Sequence, residues 1–166
     1  MIHDFDPVLI DFGILQIRWY SLAYIFGILV GWMYGKAIIR KQILNKDQDN
    51  YLKNFDDLIG YIIIGVVVGG RLGYVIFYDP IFYLKNISEI FKLWNGGMSF
   101  HGGFIGVIIA TYIFSNFKKL NYKIYFDTIC CVAPIGLFLG RIANFINGEL
   151  YGIPTEKPWG IIFPKI

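Results

Sequence analysis

The stretch LIGYIIIGVVVGGRLGYVIFY, which runs from Leu58 to Tyr78, is apolar along its length except for one charged residue, Arg71. A helix that crosses a bilayer needs about 20 mainly apolar residues, and this stretch has that length. A charged side chain within such a helix is costly and usually faces a partner or a cavity. The stretch therefore predicts a membrane-spanning helix with an arginine that has a structural or a functional role.

Three further stretches have the length and composition of spanning helices: Trp19 to Ile39, Phe100 to Phe117 and Ile124 to Ile146. The overall composition agrees, because 56% of the residues are hydrophobic and only 16% are charged, against about a quarter charged in soluble domains. We predict an all-α, polytopic membrane bundle of about four transmembrane helices, in a single integral membrane domain over residues 1–166. The net charge of +3 is small and scattered, which argues against a nucleic-acid partner.

Positively charged residues indicate which loops stay in the cytoplasm. They cluster between the first and second spans and between the third and fourth, at Arg40, Lys41, Lys46, Lys53, Lys118, Lys119 and Lys123. The N-terminus and the connection from Asp79 to Ser99 carry few of them, so we expect both to face outward; if the source is a bacterium with an outer membrane, that side is the periplasm. Acidic residues precede the first basic residue, Arg18, so no cleavable signal peptide is expected.

Glycines recur at four-residue spacing within the spans, for example at Gly65, Gly69 and Gly73. Such spacing lets helix backbones approach closely in lipid, and it predicts a structural role for most of these glycines. The adjacent Cys130 and Cys131 have no histidine at a metal-ligand spacing. We therefore predict that they are small buried side chains, and we expect no metal site.

Polar side chains from separate segments fall in the outer half of the predicted bundle: Tyr20, Arg71, His101, Arg141, Asn144 and Glu149. Two arginines at one depth repel each other unless an anion joins them, so the arrangement predicts an anion-binding site. Asn144 follows Arg141 by three residues and shares its helical face, which favours a binding role for Arg141. For Arg71 a structural ion pair or a snorkelling side chain is an equal alternative, and Glu149 is a candidate to neutralise one arginine.

Residues 96–103, GGMSFHGG, have the composition of a flexible loop that turns into a helix, with Ser99 as a candidate N-cap. Free N–H groups at a helix start attract anions, and the glycines would let a phosphate come close. His101 lies where that anion would bind, and a neutral imidazole can accept a proton in a reaction. A lone histidine is more often structural, so both roles remain open for His101.

Two blocks, residues 96–106 and 140–152, closely resemble the signature regions of the prolipoprotein diacylglyceryl transferases. Residues 18–20 and 69–74 resemble further segments of that family, in the same order along the chain. The resemblance implies that Arg141 binds the headgroup of phosphatidylglycerol, with Asn144, Glu149 and Gly152 in the same signature. It also implies that His101 and Tyr20 are important for the reaction.

The reaction that the resemblance implies moves diacylglycerol from phosphatidylglycerol to the signal-sequence cysteine of a prolipoprotein, at the bacterial cytoplasmic membrane. The cysteine thiolate attacks the diacylglycerol carbon that bears the phosphate ester, and glycerol phosphate leaves. An arginine would stabilise the departing anion through charge-assisted hydrogen bonds. No cofactor is expected, and the expected partners are phosphatidylglycerol, the prolipoprotein cysteine and the lipid bilayer.

Members of the family that the sequence resembles continue further, with additional spanning helices and a second essential arginine, so the resemblance implies that this sequence corresponds to an N-terminal part. We therefore expect a chain truncated at its C-terminus relative to the family: an inactive remnant, or one part of a split enzyme with a separate C-terminal half. An alternative from another class is a non-catalytic anion or lipid transporter subunit. The clustering of charge in one half of the predicted bundle favours a lateral lipid site over a path across the membrane.

Overall fold

The computed structural model describes residues 2–13 and 16–164, and these are mainly helical. The described helices are α1 (Trp19–Gln42), α2 (Gln48–Phe77), a short α3 (Pro80–Lys85), α4 (Phe100–Phe117) and α5 (Tyr122–Asn147). All but α3 are long enough and apolar enough to cross a membrane. The predicted all-α membrane architecture with four spans is therefore confirmed.

The ends of the helices follow the predicted spans to different degrees. Helix α4 has the predicted bounds, whereas α2 begins at Gln48, ten residues before the apolar stretch. Its polar first turns also fold as helix because Asn54 and Phe55 are buried there. Hydropathy therefore located the apolar part of α2 and not the full length of the helix.

A short antiparallel hairpin precedes α1, an element that the sequence analysis did not predict. Its strands are β1 (Val8–Asp11) and β2 (Gln16–Arg18), and Val8 pairs with Arg18 across them. Helix α1 follows β2 directly, and the N–H of Trp19 donates to the carbonyl of Pro7 at 3.2 Å. The pairing fixes the backbone just before the first span.

The described residues divide into two compact units. One comprises the residues up to Gly35 together with those from Cys130 onward, and the other is Lys36–Ile129. The second unit contains α2, α3 and α4, and the two parts of the first unit include the hairpin and the end of α5.

Helices α2 and α4 of the second unit pack through their glycines. A Cβ atom on Gly65 would lie 2.6 Å from the carbonyl oxygen of Gly106, and one on Gly73 would lie 2.7 Å from the Cα of Gly102. Any side chain at these positions would push the backbones apart. For this pair of helices the predicted structural role of the spaced glycines is confirmed.

Polar contacts join the N-terminal part of α2 to residues of α1 and α5 and to the end of α4. Lys118 at the end of α4 forms an ion pair with Asp57 at 3.7 Å, and Lys36 pairs with Asp56 at 2.9 Å. The Tyr125 hydroxyl donates to the carbonyl of Tyr51 at 3.1 Å. The α2 residues in these contacts precede its apolar part, as expected at a membrane boundary.

The prediction for the two cysteines is wrong. Cys130 and Cys131 are free thiols, and both are exposed on α5. Small apolar side chains are usually buried in a soluble core, but a membrane helix leaves apolar residues on its outer face. The composition of the run around them does not distinguish the two environments.

Candidate functional site

Arg141, the residue expected to bind an anion, lies exposed on the last two turns of α5, and Asn144 is half-buried one turn later. The helix ends at Asn147 in a paired hydrogen-bond motif. The N–H of Gly148 donates to the carbonyl of Phe145 at 3.0 Å, and the N–H of Glu149 donates to that of Asn144 at 2.8 Å. The chain therefore turns sharply, and Glu149 stays beside the end of the helix.

Gly148 makes this turn possible because its φ of +69° lies in the left-handed region, which glycine adopts without steric cost. The carboxylate of Glu149 accepts a hydrogen bond from the Asn147 amide at 3.3 Å. Gly152 is exposed, and nothing lies within 4 Å of where a Cβ would be. Packing within the described residues therefore does not explain a glycine at position 152.

Tyr20 lies in the first turn of α1, close enough to Arg141 and Glu149 for both charges to act on its hydroxyl. Its ring also packs against Tyr24, with 5.2 Å between the ring centroids. Of the predicted site residues, Tyr20, Arg141 and Glu149 are therefore brought together within one unit. Asn144 joins them through its carbonyl, which holds the N–H of Glu149.

An apolar groove of about 190 Å³ lies next to this group, between α1 and α5. Its lining consists of Trp19, Leu22, Ala23, Phe26, Leu139, Ile142, Ala143 and Ile146. Trp19 and Ile142 are the chain neighbours of Tyr20 and Arg141. An apolar groove whose lining residues are next in the chain to a cationic and a hydroxyl-bearing residue suits a ligand with an anionic head and a hydrocarbon tail.

His3 contributes to the same unit, although the sequence analysis gave it no role. It is 6% exposed, its Nε2 lies 2.5 Å from the carbonyl oxygen of Phe145, and its ring packs against Phe5, Phe145 and Phe163. The signal that could have found it is weak: His3 and Phe5 alternate on one face of an extended segment. His3 therefore supports the turn that carries Glu149.

Arg71 is buried in the second unit, with 4% of its surface exposed. Its guanidinium donates to five backbone carbonyls, those of Glu89, Ile90, Lys92, Gly96 and Gly97. An arginine has five N–H donors, so each donor has a protein acceptor. The ring of Tyr83 packs 5.2 Å from the guanidinium carbon. Headgroup binding by Arg71 stays a prediction, and the contacts found are those of a residue that organises the chain around it.

His101 lies exposed in the first turn of α4, beside the ring of Phe100. Ser99 is the N-cap of this helix, and its hydroxyl accepts a hydrogen bond from the N–H of Gly102 at 3.2 Å. The predicted N-cap is therefore confirmed. Gly96 and Gly97 precede it with φ values of +77° and +83°, so the turn into α4 uses the left-handed region twice.

The comparison with known proteins agrees with the two signature blocks. The family model for prolipoprotein diacylglyceryl transferase matches residues 7–166. The chain belongs to the prolipoprotein diacylglyceryl transferase family. This confirms the family that the sequence resembles, over nearly the whole chain.

Named relatives of the family are about half identical to this chain. The phosphatidylglycerol–prolipoprotein diacylglyceryl transferase of Rhodopseudomonas palustris is 49% identical over 97% of the chain, and that of Rickettsia canadensis is 52% identical over 96%. The corresponding protein of Phenylobacterium zucineum is 48% identical over 96%. The chain spans 57%, 60% and 56% of the length of these three transferases.

The predicted site residues fall in both units. Tyr20, Arg141, Asn144, Glu149 and Gly152 belong to the first, whereas Arg71 and His101 belong to the second. The prediction that all of them act at one site therefore stays a prediction. Among the described residues no group of three or more histidine, cysteine, aspartate or glutamate side chains is placed to hold a metal ion.

Proposed function

We propose that this chain takes part in the transfer of a diacylglyceryl group from phosphatidylglycerol to the signal-sequence cysteine of a prolipoprotein. Membership of the transferase family supports the reaction, and the names of the relatives support the two substrates. The observation that carries the proposal for this chain is the exposed Arg141 on α5, next in the chain to Ile142, which lines the apolar groove between α1 and α5.

In this proposal Arg141 binds the phosphate of the lipid headgroup. Its planar guanidinium can donate two parallel hydrogen bonds to phosphate oxygens, and the groove takes part of an acyl chain. Asn144 supplies a neutral donor on the same helical face. Glu149 and Gly152 lie on the headgroup side of the proposed site. Glu149 also offsets part of the positive charge of Arg141 when no lipid is bound.

The chemical step forms a carbon–sulfur bond and breaks a carbon–oxygen bond. The thiolate of the prolipoprotein cysteine attacks the diacylglycerol carbon that carries the phosphate ester, and the glycerol phosphate leaves with the electron pair of the broken bond. Arg141 stabilises the negative charge that develops on the leaving group. His101 is proposed as the base that accepts the thiol proton, and Tyr20 as a hydroxyl that orients the headgroup.

The proposed location is the bacterial cytoplasmic membrane, with the N-terminus facing outward. The four apolar helices support a multi-pass membrane protein. The lysine and arginine residues in the loops between α1 and α2 and between α4 and α5, and in the adjoining helix ends, support the orientation. The chain has about three-fifths of the length of its relatives. We propose that full transfer activity also needs groups that those relatives carry in their remaining length.

The test measures binding of phosphatidylglycerol to the folded chain in phosphatidylcholine nanodiscs. Arg141→Ala should weaken binding by about tenfold or more, since a hydrogen bond to a charged group contributes about 1.5–3 kcal/mol. Arg141→Lys should bind with intermediate affinity, because it keeps the charge and loses the planar fork. Arg40→Ala is the matched control, an exposed arginine at the far end of α1. Equal binding by Arg141→Ala and the parent chain would show that the anion site is elsewhere.

The role of His101 has a separate readout. His101→Asn should leave lipid binding nearly unchanged and should reduce the transfer rate to a lipobox peptide. The rate is measured after adding, as a separate polypeptide, the part of a relative that this chain does not cover. A variant that loses lipid binding and transfer together would contradict a role limited to proton transfer.

A further inference from the structure

Along the axis of α2, the start of α4 is displaced from the C-terminal end of α2 toward the middle of that helix. We call positions in this direction below the end of α2. The N–H of Ser99 donates to the carbonyl of Gly70 at 2.9 Å, so the N-cap of α4 is level with Gly70. Gly70 precedes the last residue of α2, Phe77, by seven positions. At a rise of about 1.5 Å per residue, α4 begins about 10 Å below that end of α2. The connecting segment, residues 80–97, must therefore descend along α2 before α4 begins.

Arg71 binds the second half of the connecting segment, residues 89–97, at this depth. The five carbonyls that it binds all belong to residues 89–97, which comprise the end of a 3₁₀ helix (Ile87–Phe91), a second 3₁₀ helix (Leu93–Asn95) and the glycine turn. Irregular backbone at membrane depth is tolerated only where its polar groups are satisfied by protein or by water. Arg71 satisfies these carbonyls, and their dipoles in turn stabilise a buried cation.

The connecting segment presents large apolar side chains on its outside. Phe91 is 74% exposed and Trp94 is 79% exposed, and the other exposed residues of this kind are Ile81, Phe82, Leu84, Ile87 and Leu93. Its charges are few, and Glu89 and Lys92 form an ion pair with each other at 2.5 Å. The backbone faces Arg71 while the apolar side chains face away from the unit.

We propose that residues 89–97 of the connecting segment form a re-entrant membrane segment, inserted among the lipid acyl chains of the leaflet at the Phe77 end of α2, while residues 80–88 lie nearer the membrane surface. The occupant that covers the apolar side chains of residues 89–97 is bilayer lipid, because these residues lead into α4, which begins about 10 Å below the end of α2. Arg71 is the positioning residue that sets its depth. The insertion keeps the His101 end of α4 beneath the membrane surface, and it does not depend on the transfer reaction.

The experiment uses Trp94 as a depth probe in the full chain. Trp19, Trp32 and Trp159 are replaced by phenylalanine, and the protein is reconstituted in vesicles of phosphatidylcholine and phosphatidylglycerol. Fluorescence is then quenched either with phosphatidylcholine brominated on its acyl chains or with acrylamide in water. In two control proteins Trp94 is replaced as well, and the single tryptophan stands elsewhere in the same unit. One control has it at Phe104 on the exposed face of α4, and the other has it at Leu44 in the loop before α2.

Trp94 should be quenched by the brominated lipid to an extent similar to Phe104→Trp, and by acrylamide severalfold less than Leu44→Trp. Arg71→Lys has at most three donors in place of five, and should shift Trp94 toward acrylamide quenching while Phe104→Trp stays unchanged. Acrylamide quenching of Trp94 equal to that of Leu44→Trp would overturn the proposal. Protection from both quenchers would also overturn it, in favour of a covering protein surface such as a second copy of the chain. If Arg71→Lys does not fold, the measurement on the parent chain still decides whether the segment lies in lipid.

Discussion

The close packing of α2 on α4 predicts that Gly65→Ala destabilises the protein while the same change at Gly60 does not. A Cβ at position 65 would lie 2.6 Å from the Gly106 carbonyl oxygen and 2.9 Å from the Ala110 Cβ. Carbon atoms in favourable contact lie about 3.5–4.0 Å apart, so the helices must separate by about 1 Å. At Gly60, five residues earlier on the same helix, nothing lies within 4 Å of the added atom.

The magnitude follows from comparing the two variants. Both gain the helix preference of alanine over glycine, about 1 kcal/mol, so this contribution cancels in the difference between them. Overpacking a close contact costs about 1–3 kcal/mol. We therefore expect Gly65→Ala to have a free energy of unfolding about 1–3 kcal/mol below that of Gly60→Ala.

The assay is reversible unfolding in mixed detergent micelles, with increasing sodium dodecyl sulfate and circular dichroism as the readout. Ala110→Gly is combined with Gly65→Ala, because it removes one of the two contacted groups and leaves the Gly106 carbonyl in place. The double variant should recover part of the lost stability, and a double-mutant cycle gives the coupling energy. Equal stability of Gly65→Ala and Gly60→Ala, or a coupling energy of zero, would refute the proposed packing.

Three further predictions concern orientation, the His3 contact and activity. A cysteine at Asn86 should react with an impermeant reagent in osmotically opened cells while one at Asn45 should not, in a background without native cysteines; labelling of position 45 would refute the orientation. His3→Phe keeps the ring and loses the hydrogen bond to Phe145, so it should reduce unfolding stability by about 1–3 kcal/mol and expose residues 148–164 to protease; a protease pattern like that of the parent would argue against a supporting role. The purified chain should transfer diacylglycerol to a lipobox peptide weakly or not at all, and addition of the remaining length of a relative should raise the rate; robust transfer by the chain alone would show that those groups are dispensable.

Sequence alone determined the four spans, because a helix in lipid satisfies its own backbone hydrogen bonds and only its apolar length must match the bilayer. It also determined the N-cap at Ser99 and the packing role of the spaced glycines, since both depend on residues close together in sequence or on a simple four-residue spacing, whereas the structure decided that α2 and α4 are the pair that the glycines join. The signature around Arg141 was readable for the same reason, because its residues share one helix end.

Tertiary structure decided the features that depend on contacts between distant residues. His3 is buried against Phe145 because the N-terminal segment pairs with Ile162, a contact that no local pattern records. The partners of Arg71 are backbone carbonyls 18 to 26 residues away, and every residue type offers a carbonyl, so composition cannot identify them. Hydropathy showed that the charge of Arg71 needed polar partners in the membrane. Only the path of the connecting segment determined which groups those partners are.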